Sequence, residues 1–508
     1  MKASLMYSDR DVDLLGELPA NSAALTQDLG LDILCGAMAQ GDRLVFDVSK
    51  RALLLGLSDL SMIAYRQDVL TDCLRQPAVV REIYDLATEA VEAERKIWGL
   101  YSGAPQSILS RGLNAVELLL GYLRRLRQLG EEHATKFSSA GFSRFFRMVS
   151  DELTEGYFRE IESHLRPLRF RGGTLISANL GEGNTATGLV LRRARPRRLK
   201  DRLSALSRPG YSFEISTRDD AGLRILADLQ ARGINMVANT VAQSAEHIRG
   251  FFTMLRTELA FYVGCANLHH QLFEREMTVC FPQVEPSEKL ALAAEGLYDA
   301  CLPLRSREAV VGNDLAADGK SLVMVTGANQ GGKSTFLRSL GLAQMMMQSG
   351  MFVTAVKFKA NACSGIFTHF KREEDPTMKS GKFDEELGRM SEIAASIAPG
   401  CLLLCNESFA STNEREGSEI GREVVQAMTE LGVKVVFVTH MFEMADAFYC
   451  DHLPTSLFLR AERLADGRRT FKLIEGEPLS TSFGPDSYSR VFGQERLVGG
   501  MRGDRRPS

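Results

Sequence analysis

Several features that would each fix a class are missing from this sequence. The opening Met1-Lys2-Ala3-Ser4-Leu5-Met6-Tyr7-Ser8-Asp9-Arg10 has no apolar core, so it is not read as a secretory signal. No run of about 18 apolar residues occurs, which excludes an ordinary membrane span. Excess charge of one sign is also lacking. Lys plus Arg is 61 and Asp plus Glu is 64, a formal net of −3, so a uniformly basic nucleic-acid coat is excluded while a local basic patch is not. The nine cysteines are odd in number and never spaced as CxxC, the usage of free thiols in a reducing cytoplasm rather than of a disulfide framework. Proline is absent from Tyr211 to Phe281, although the chain holds 15 in 508 residues.

What is present is a globular balance, 44% hydrophobic and 25% charged, in a length that suggests two to four domains. Ala78–Lys96 and Leu113–Leu129 carry apolar residues at three- and four-residue spacing and predict helices, with Gly103, Pro105 and Gly112 between them as breakers. Gly172–Asn184 is poor helix material, and Thr187–Leu191 and Tyr211–Ser216 read as short strands. Between Arg166 and Arg208 eleven Lys/Arg face two acids, Glu182 and Asp201, a local net of +9. Arg192, Arg193, Arg195, Arg197, Arg198 and Lys200 form its densest part, a solvated loop by default or a sequence-independent DNA-backbone contact. The proline-free stretch predicts one very long helix, or a pair loosened at Gly233 and Gly250. Pro282, Pro286 and Pro303 mark a boundary, after which strand-like runs at Ser321–Thr326, Cys401–Cys405 and Val433–Thr439 alternate with helical stretches, as in a buried parallel sheet.

Chemistry concentrates in this last region. Gly327-Ala328-Asn329-Gln330-Gly331-Gly332-Lys333-Ser334-Thr335 satisfies GxxxxGK[ST] between an expected strand and an expected helix, Ser334–Gln348. Glycines let the backbone curl its N–H groups toward a phosphate, Lys333 reaches the β- and γ-phosphates, and Ser334 offers a hydroxyl to Mg²⁺. The second strand runs into Asn406-Glu407. Glu407 is placed to orient an attacking water, while Asn406 stands where an aspartate is usual and lacks its charge, lowering the expected Mg²⁺ affinity. The third strand runs into Thr439-His440, where a histidine can sense the γ-phosphate. Cys265 with His269 and His270 reads as helix packing rather than a metal site, and Met345–Met347 as core.

These residues resemble the MutS family of DNA mismatch-repair ATPases. Gly327–Thr335 followed by Phe336-Leu337-Arg338 is similar to its GPNMGGKST loop, departing at Ala328 and Gln330, which do not make the phosphate cradle. Ser380-Gly381-Lys382 resembles its ABC-type signature, which in a dimer reaches the partner's γ-phosphate. Asn406-Glu407 followed by Ser411-Thr412-Asn413-Glu414-Arg415-Glu416-Gly417 resembles its Walker B and following loop, and Thr439-His440-Met441-Phe442-Glu443 matches its THxFE switch. Together these cover about Val310–Gly493, and a weaker, architectural likeness to the family's helical core, levers and clamp covers about Asp28–Phe281.

The resemblance implies a multidomain chain: a helical core/lever over 1–160, a basic β-containing clamp insertion over 161–216, a lever helix over 217–281, an α/β P-loop (ABC-type) ATPase domain over 282–495 and a basic tail over 496–508. It implies a cytoplasmic, nucleoid-associated homodimer using ATP and Mg²⁺ to close on mismatched or branched double-stranded DNA, and a downstream repair partner. The family's Phe-x-Glu mismatch wedge is not found, Phe158-Arg159-Glu160 and Phe383-Asp384-Glu385 being read as chance, and no Smr-type tail is read. Binding of branched intermediates by shape, or a nucleotide-gated scaffold with little turnover, therefore stay open as alternatives.

Overall fold

A computed structural model describes residues 1–97, 103–171, 173–193, 213–306, 309–372 and 381–480. Ser380 of the expected signature, and Arg195, Arg197, Arg198 and Lys200 of the basic cluster, lie outside the described residues. The chain divides into two compact units, Met1–Val12 with Gln76–Leu259, and Asp13–Arg75 with Ala260–Ser508.

The first unit is largely helical. Pro105 opens the helix Pro105–His133 at its first turn, where the missing N–H has no intrahelical partner to lose. Leu109, Leu113, Val116, Leu120 and Leu123 recur every three or four residues and are all buried. Gly112, expected as a breaker, is therefore inside this helix. One internal glycine costs about 1 kcal/mol, less than such an apolar face contributes on burial. Ser139 and Thr154 cap the next two helices, Ala140–Glu152 and Glu155–Leu165, by accepting from the amides of Phe142 and Tyr157. The rings of Phe137, Phe142 and Phe146 cluster with centroids 4.4 to 5.9 Å apart.

A two-stranded antiparallel hairpin follows, β1 (Leu175–Leu180) with β2 (Ala186–Arg192), and neither strand has a fully buried residue. The expected strand at Tyr211–Ser216 does not form over its described part, 213–216. Among the described residues its alternation meets no neighbouring ladder, and a strand without a partner leaves its backbone polar groups unpaired. The proline-free stretch becomes one helix, Asp220–Phe273, continuous through Gly233 and Gly250, with residues in both units.

The second unit opens with the helices Ser22–Leu29, Leu31–Ala39, Arg43–Leu55 and Leu60–Arg75, and its later part carries further helices around two sheets. The smaller sheet comprises β3 (Gln283–Glu285), β4 (Leu292–Leu297), β5 (Asn313–Ala316) and β7 (Lys357–Asn361), in the order β3-β7-β4-β5. The larger comprises β6 (Leu322–Gly327), β8 (Ile366–Phe370), β9 (Leu402–Asn406), β10 (Lys434–Val438), β11 (Ser456–Arg463) and β12 (Arg469–Glu475), in the order β12-β11-β6-β10-β9-β8. Every neighbouring pair in it is parallel except β11 with β12. All of β6 and β10, and β9 up to Cys405, are buried, which is why they read as unbroken apolar runs rather than alternating ones. Met345, Met346 and Met347 are buried in the helix Lys333–Gln348. No helix among the described residues is long and apolar enough to cross a membrane.

Candidate functional site

Adjacent parallel strands deliver their C-terminal ends to one edge of the sheet, and crossovers leave that edge open for a ligand. Here β6 ends at Gly327, β9 at Asn406 and β10 at Val438, with β10 between the other two. Motifs separated by up to about 110 positions in the chain are thereby set side by side.

The loop after β6 requires glycine for two reasons. A Cβ at Gly331 would lie 2.6 Å from the Ala461 Cβ and 2.9 Å from the Ala328 carbonyl oxygen. Gly332 has φ +91° and caps the helix Lys333–Gln348, a conformation that a side chain strains. The first amides of that helix have no carbonyl one turn back to pair with, and together with the helix dipole they favour an anion. Asn329, Gln330 and Ser334 are exposed, and Gln330 accepts from Arg469 Nη1 of β12 at 3.4 Å.

Lys333 is buried, and its ammonium donates to the carbonyls of Gly327 at 2.9 Å and Ala328 at 3.1 Å. Burial pushes its pKa below the usual lysine range, while the Glu407 carboxylate pulls it back up. Ser334 Oγ donates to Asn406 Oδ1 at 2.8 Å. Glu407 follows with φ +53°, held by its amide donating to the Val438 carbonyl at 2.8 Å. Its Oε1 lies 4.0 Å from His440 Nδ1, with both side chains partly exposed. Thr439 Oγ1 accepts from the Met441 amide, and Glu414 Oε1 accepts from the Phe442 amide, fixing the turn that bears His440.

The fold thus brings Lys333, Ser334, Asn406, Glu407 and His440 together. Gly381 takes no part in these contacts; it caps another helix, Lys382–Ser396, in the same unit. Arg192 Nε donates to Ser177 Oγ across the hairpin at 2.8 Å, and Arg193 follows β2 directly. Sequence reasoning missed Arg469 and gave Glu414 only as a letter of the loop after Asn406-Glu407; the contacts of both come from across the fold, where no local pattern signals them. It also missed His369, which with Thr368 interrupts the apolar run of the strand Ile366–Phe370, and that interruption was the one available cue.

Ser334 and Asn406 could also hold a Mg²⁺. The two oxygens adjoin, are neutral and stand beside the Glu407 carboxylate, a sparse donor set that suits an ion retaining several waters.

Comparison with known proteins gives the same assignment from two directions. The family described as MutS2 N-terminal domain matches residues 58–275, and the family described as MutS domain V matches residues 323–485. Endonuclease MutS2 of Lacticaseibacillus casei is 31% identical over 251 residues, covering 47% of this chain and 31% of that protein. DNA mismatch repair protein MutS of Chloroflexus aurantiacus is 31% identical over 142 residues, 27% of this chain and 15% of that protein. MutS protein homolog 4 of Mus musculus is 27% identical over 157 residues, 30% of this chain and 16% of that protein. The matched region thus spans less than a third of each of these relatives. With one family matching its helical part and the other its sheet-bearing part, the chain belongs to the MutS family.

Proposed function

We propose that this chain is an ATP-dependent DNA-binding protein acting in DNA mismatch repair or DNA damage surveillance, through a dimer that closes on duplex according to its nucleotide state. The observation that carries the reading is the contact between Ser334 and Asn406 at 2.8 Å, with Lys333 and Glu407 beside it. The loop Gly327–Thr335 surrounds the phosphates, with Gly327, Gly331, Gly332 and Lys333 holding them. The Lys333 ammonium exchanges its two loop carbonyls for phosphate oxygens. Ser334 and Asn406 hold Mg²⁺, which when bound offsets charge on the β- and γ-phosphates. Glu407 orients the attacking water and accepts its proton at a carboxylate oxygen, and His440 reports the presence of the γ-phosphate. Ser380 and Gly381 act on the nucleotide of a second subunit. Arg192, Arg193, Arg195, Arg197, Arg198 and Lys200, in the insertion over 161–216, grip the DNA backbone, and the helical stretch over 217–281 transmits nucleotide state to them.

The MutS relatives support mismatch repair as the setting. Recognition of branched intermediates by shape is the alternative. Affinity for a G·T mismatch, a four-way junction and a plain duplex, each with and without ATP, separates the two. Equal affinity for all three in every nucleotide state would sink both.

Asn406 favours a second reading, a nucleotide-gated scaffold with little turnover, because its amide contributes no charge to the metal side of the site. Steady-state hydrolysis well above a Lys333→Ala control argues against that reading. A gain of turnover in Asn406→Asp shows that the native site is tuned slow.

A further inference from the structure

His369 lies on β8 and is completely buried, between the turn that follows β9 and the helix that Gly381 caps. Its Nε2 is 3.0 Å from the backbone carbonyl of Glu386, in the second turn of that helix, Lys382–Ser396. A carbonyl only accepts, so Nε2 carries the proton. Nδ1, then unprotonated, lies 2.7 Å from Ser408 Oγ and accepts from that hydroxyl. The same hydroxyl is 2.7 Å from the His369 carbonyl oxygen, so its single proton is shared between two acceptors on one residue.

Burial, followed by the charge of Arg389, pushes the His369 pKa down to about 4, which keeps the ring in this neutral, one-donor, one-acceptor form at ordinary pH. The ring also stacks on Phe409, with centroids 5.7 Å apart and planes 25° from parallel. Ser408 and Phe409 directly follow Glu407, and both Glu407 and Phe409 hold positive φ, +53° and +66°. A turn with two such residues persists only where its surroundings hold it. The helix is tied to the same strand a second time, by Arg389 Nη1 donating to the Phe370 carbonyl at 3.0 Å.

We propose that His369 is a positioning residue that fixes the Glu407–Phe409 turn to the first turns of the helix Lys382–Ser396, so that a displacement of either reaches the other. This rests on the reading of Glu407 as the water-orienting group and of Gly381 as the group offered to a second subunit's nucleotide. Through His369, engagement of Gly381 by a partner bears on the Glu407 carboxylate of the same chain, and the two ends of the site are set in one register.

The test is hydrogen–deuterium exchange of the full chain without nucleotide, comparing wild type with His369→Phe, which keeps a ring against Phe409 and loses both polar links. Exchange rises about tenfold in both 382–390 and 407–412, and the helix Lys333–Gln348 is unchanged, since losing one buried hydrogen bond costs on the order of 1 kcal/mol of local opening. Faster exchange in only one of the two segments, or in neither, overturns the proposal. Should His369→Phe fail to fold, Ser408→Ala removes a single hydroxyl and must loosen 382–390 as well; an unaltered helix in that variant overturns it equally. In turnover assays His369→Phe lowers kcat about 10- to 100-fold with the dissociation constant for ATP unchanged, and His369→Gln, which restores a donor and an acceptor, recovers part of it. A wild type that shows no turnover defeats the hydrolytic reading instead, and the exchange measurement still decides the role of His369.

Discussion

The strand–loop–helix from Leu322 to Gln348 and the hairpin from Leu175 to Arg192 are held by opposite means. Every residue of β6 is buried, Lys333 is satisfied by two carbonyls, and the loop has no room for a Cβ at Gly331. In the hairpin no strand residue is fully buried, and Leu175, Leu180 and Val190 are exposed. In the first segment packing and backbone geometry dictate residue identity position by position. In the second, only the strand ladder is fixed. A motif can therefore be read letter by letter in the one, and only composition can be read in the other.

Four changes sharpen or break that contrast, beginning with the largest effect. His369 belongs to the tightly packed side, and its folded pKa of about 4 lies below the ordinary 6.5, depressed by burial and by the charges of Arg389 and Arg372. Between those values the unfolded chain binds a proton that the folded chain refuses. Its contribution is intact above pH 6.5 and is lost as pH falls toward 4, by about 3 kcal/mol. Acid titration of thermal stability should show this loss in wild type and less of it in His369→Phe; equal slopes would mean that no buried neutral histidine governs the acid limb.

Lys333→Ala should weaken Mg·ATP binding by roughly 100-fold, the value of a charge-assisted contact to phosphate, as read by calorimetry. Unaltered affinity would mean that the loop does not hold the phosphates. Gly331→Ala should destabilise by about 1–3 kcal/mol through overpacking against Ala461, whereas Leu180→Ala in the hairpin should stay within about 0.5 kcal/mol. Melting curves of the two variants test the contrast itself, and similar losses would erase it. Replacing Arg192, Arg193, Arg195, Arg197 and Arg198 by Ala should leave melting unchanged. It should weaken binding to plain duplex and flatten its salt dependence by about 0.9 in logarithmic slope for each phosphate that is no longer neutralised. An unchanged slope would return these residues to the role of a solvated loop.

How much of this was legible in the sequence follows the same division. The strands that end at Gly327, Asn406 and Val438 were readable because they are buried on both faces and so are written as unbroken apolar runs. The GxxxxGK[ST] loop was readable because steric limits at Gly331 and Gly332 leave few residue choices. Gly112 misled because a glycine's local cost is overridden by a long buried face. The described part of the strand expected at Tyr211–Ser216, 213–216, misled because alternation specifies a strand only when a partner strand lies beside it. His369 was silent because its function arises from Ser408 and Glu386, which stand 39 and 17 positions away.

The claim at the centre is that nucleotide at Lys333 and DNA are felt by one another, and affinities linked in this way change by a common factor. The direct measurement is the dissociation constant for duplex DNA in the presence of ADP and of a non-hydrolysable ATP analogue, in wild type and in Lys333→Ala. A difference of at least about fivefold between the two nucleotides, abolished in the variant, is the predicted result. One affinity for DNA in every nucleotide state, with nucleotide demonstrably bound, would contradict it.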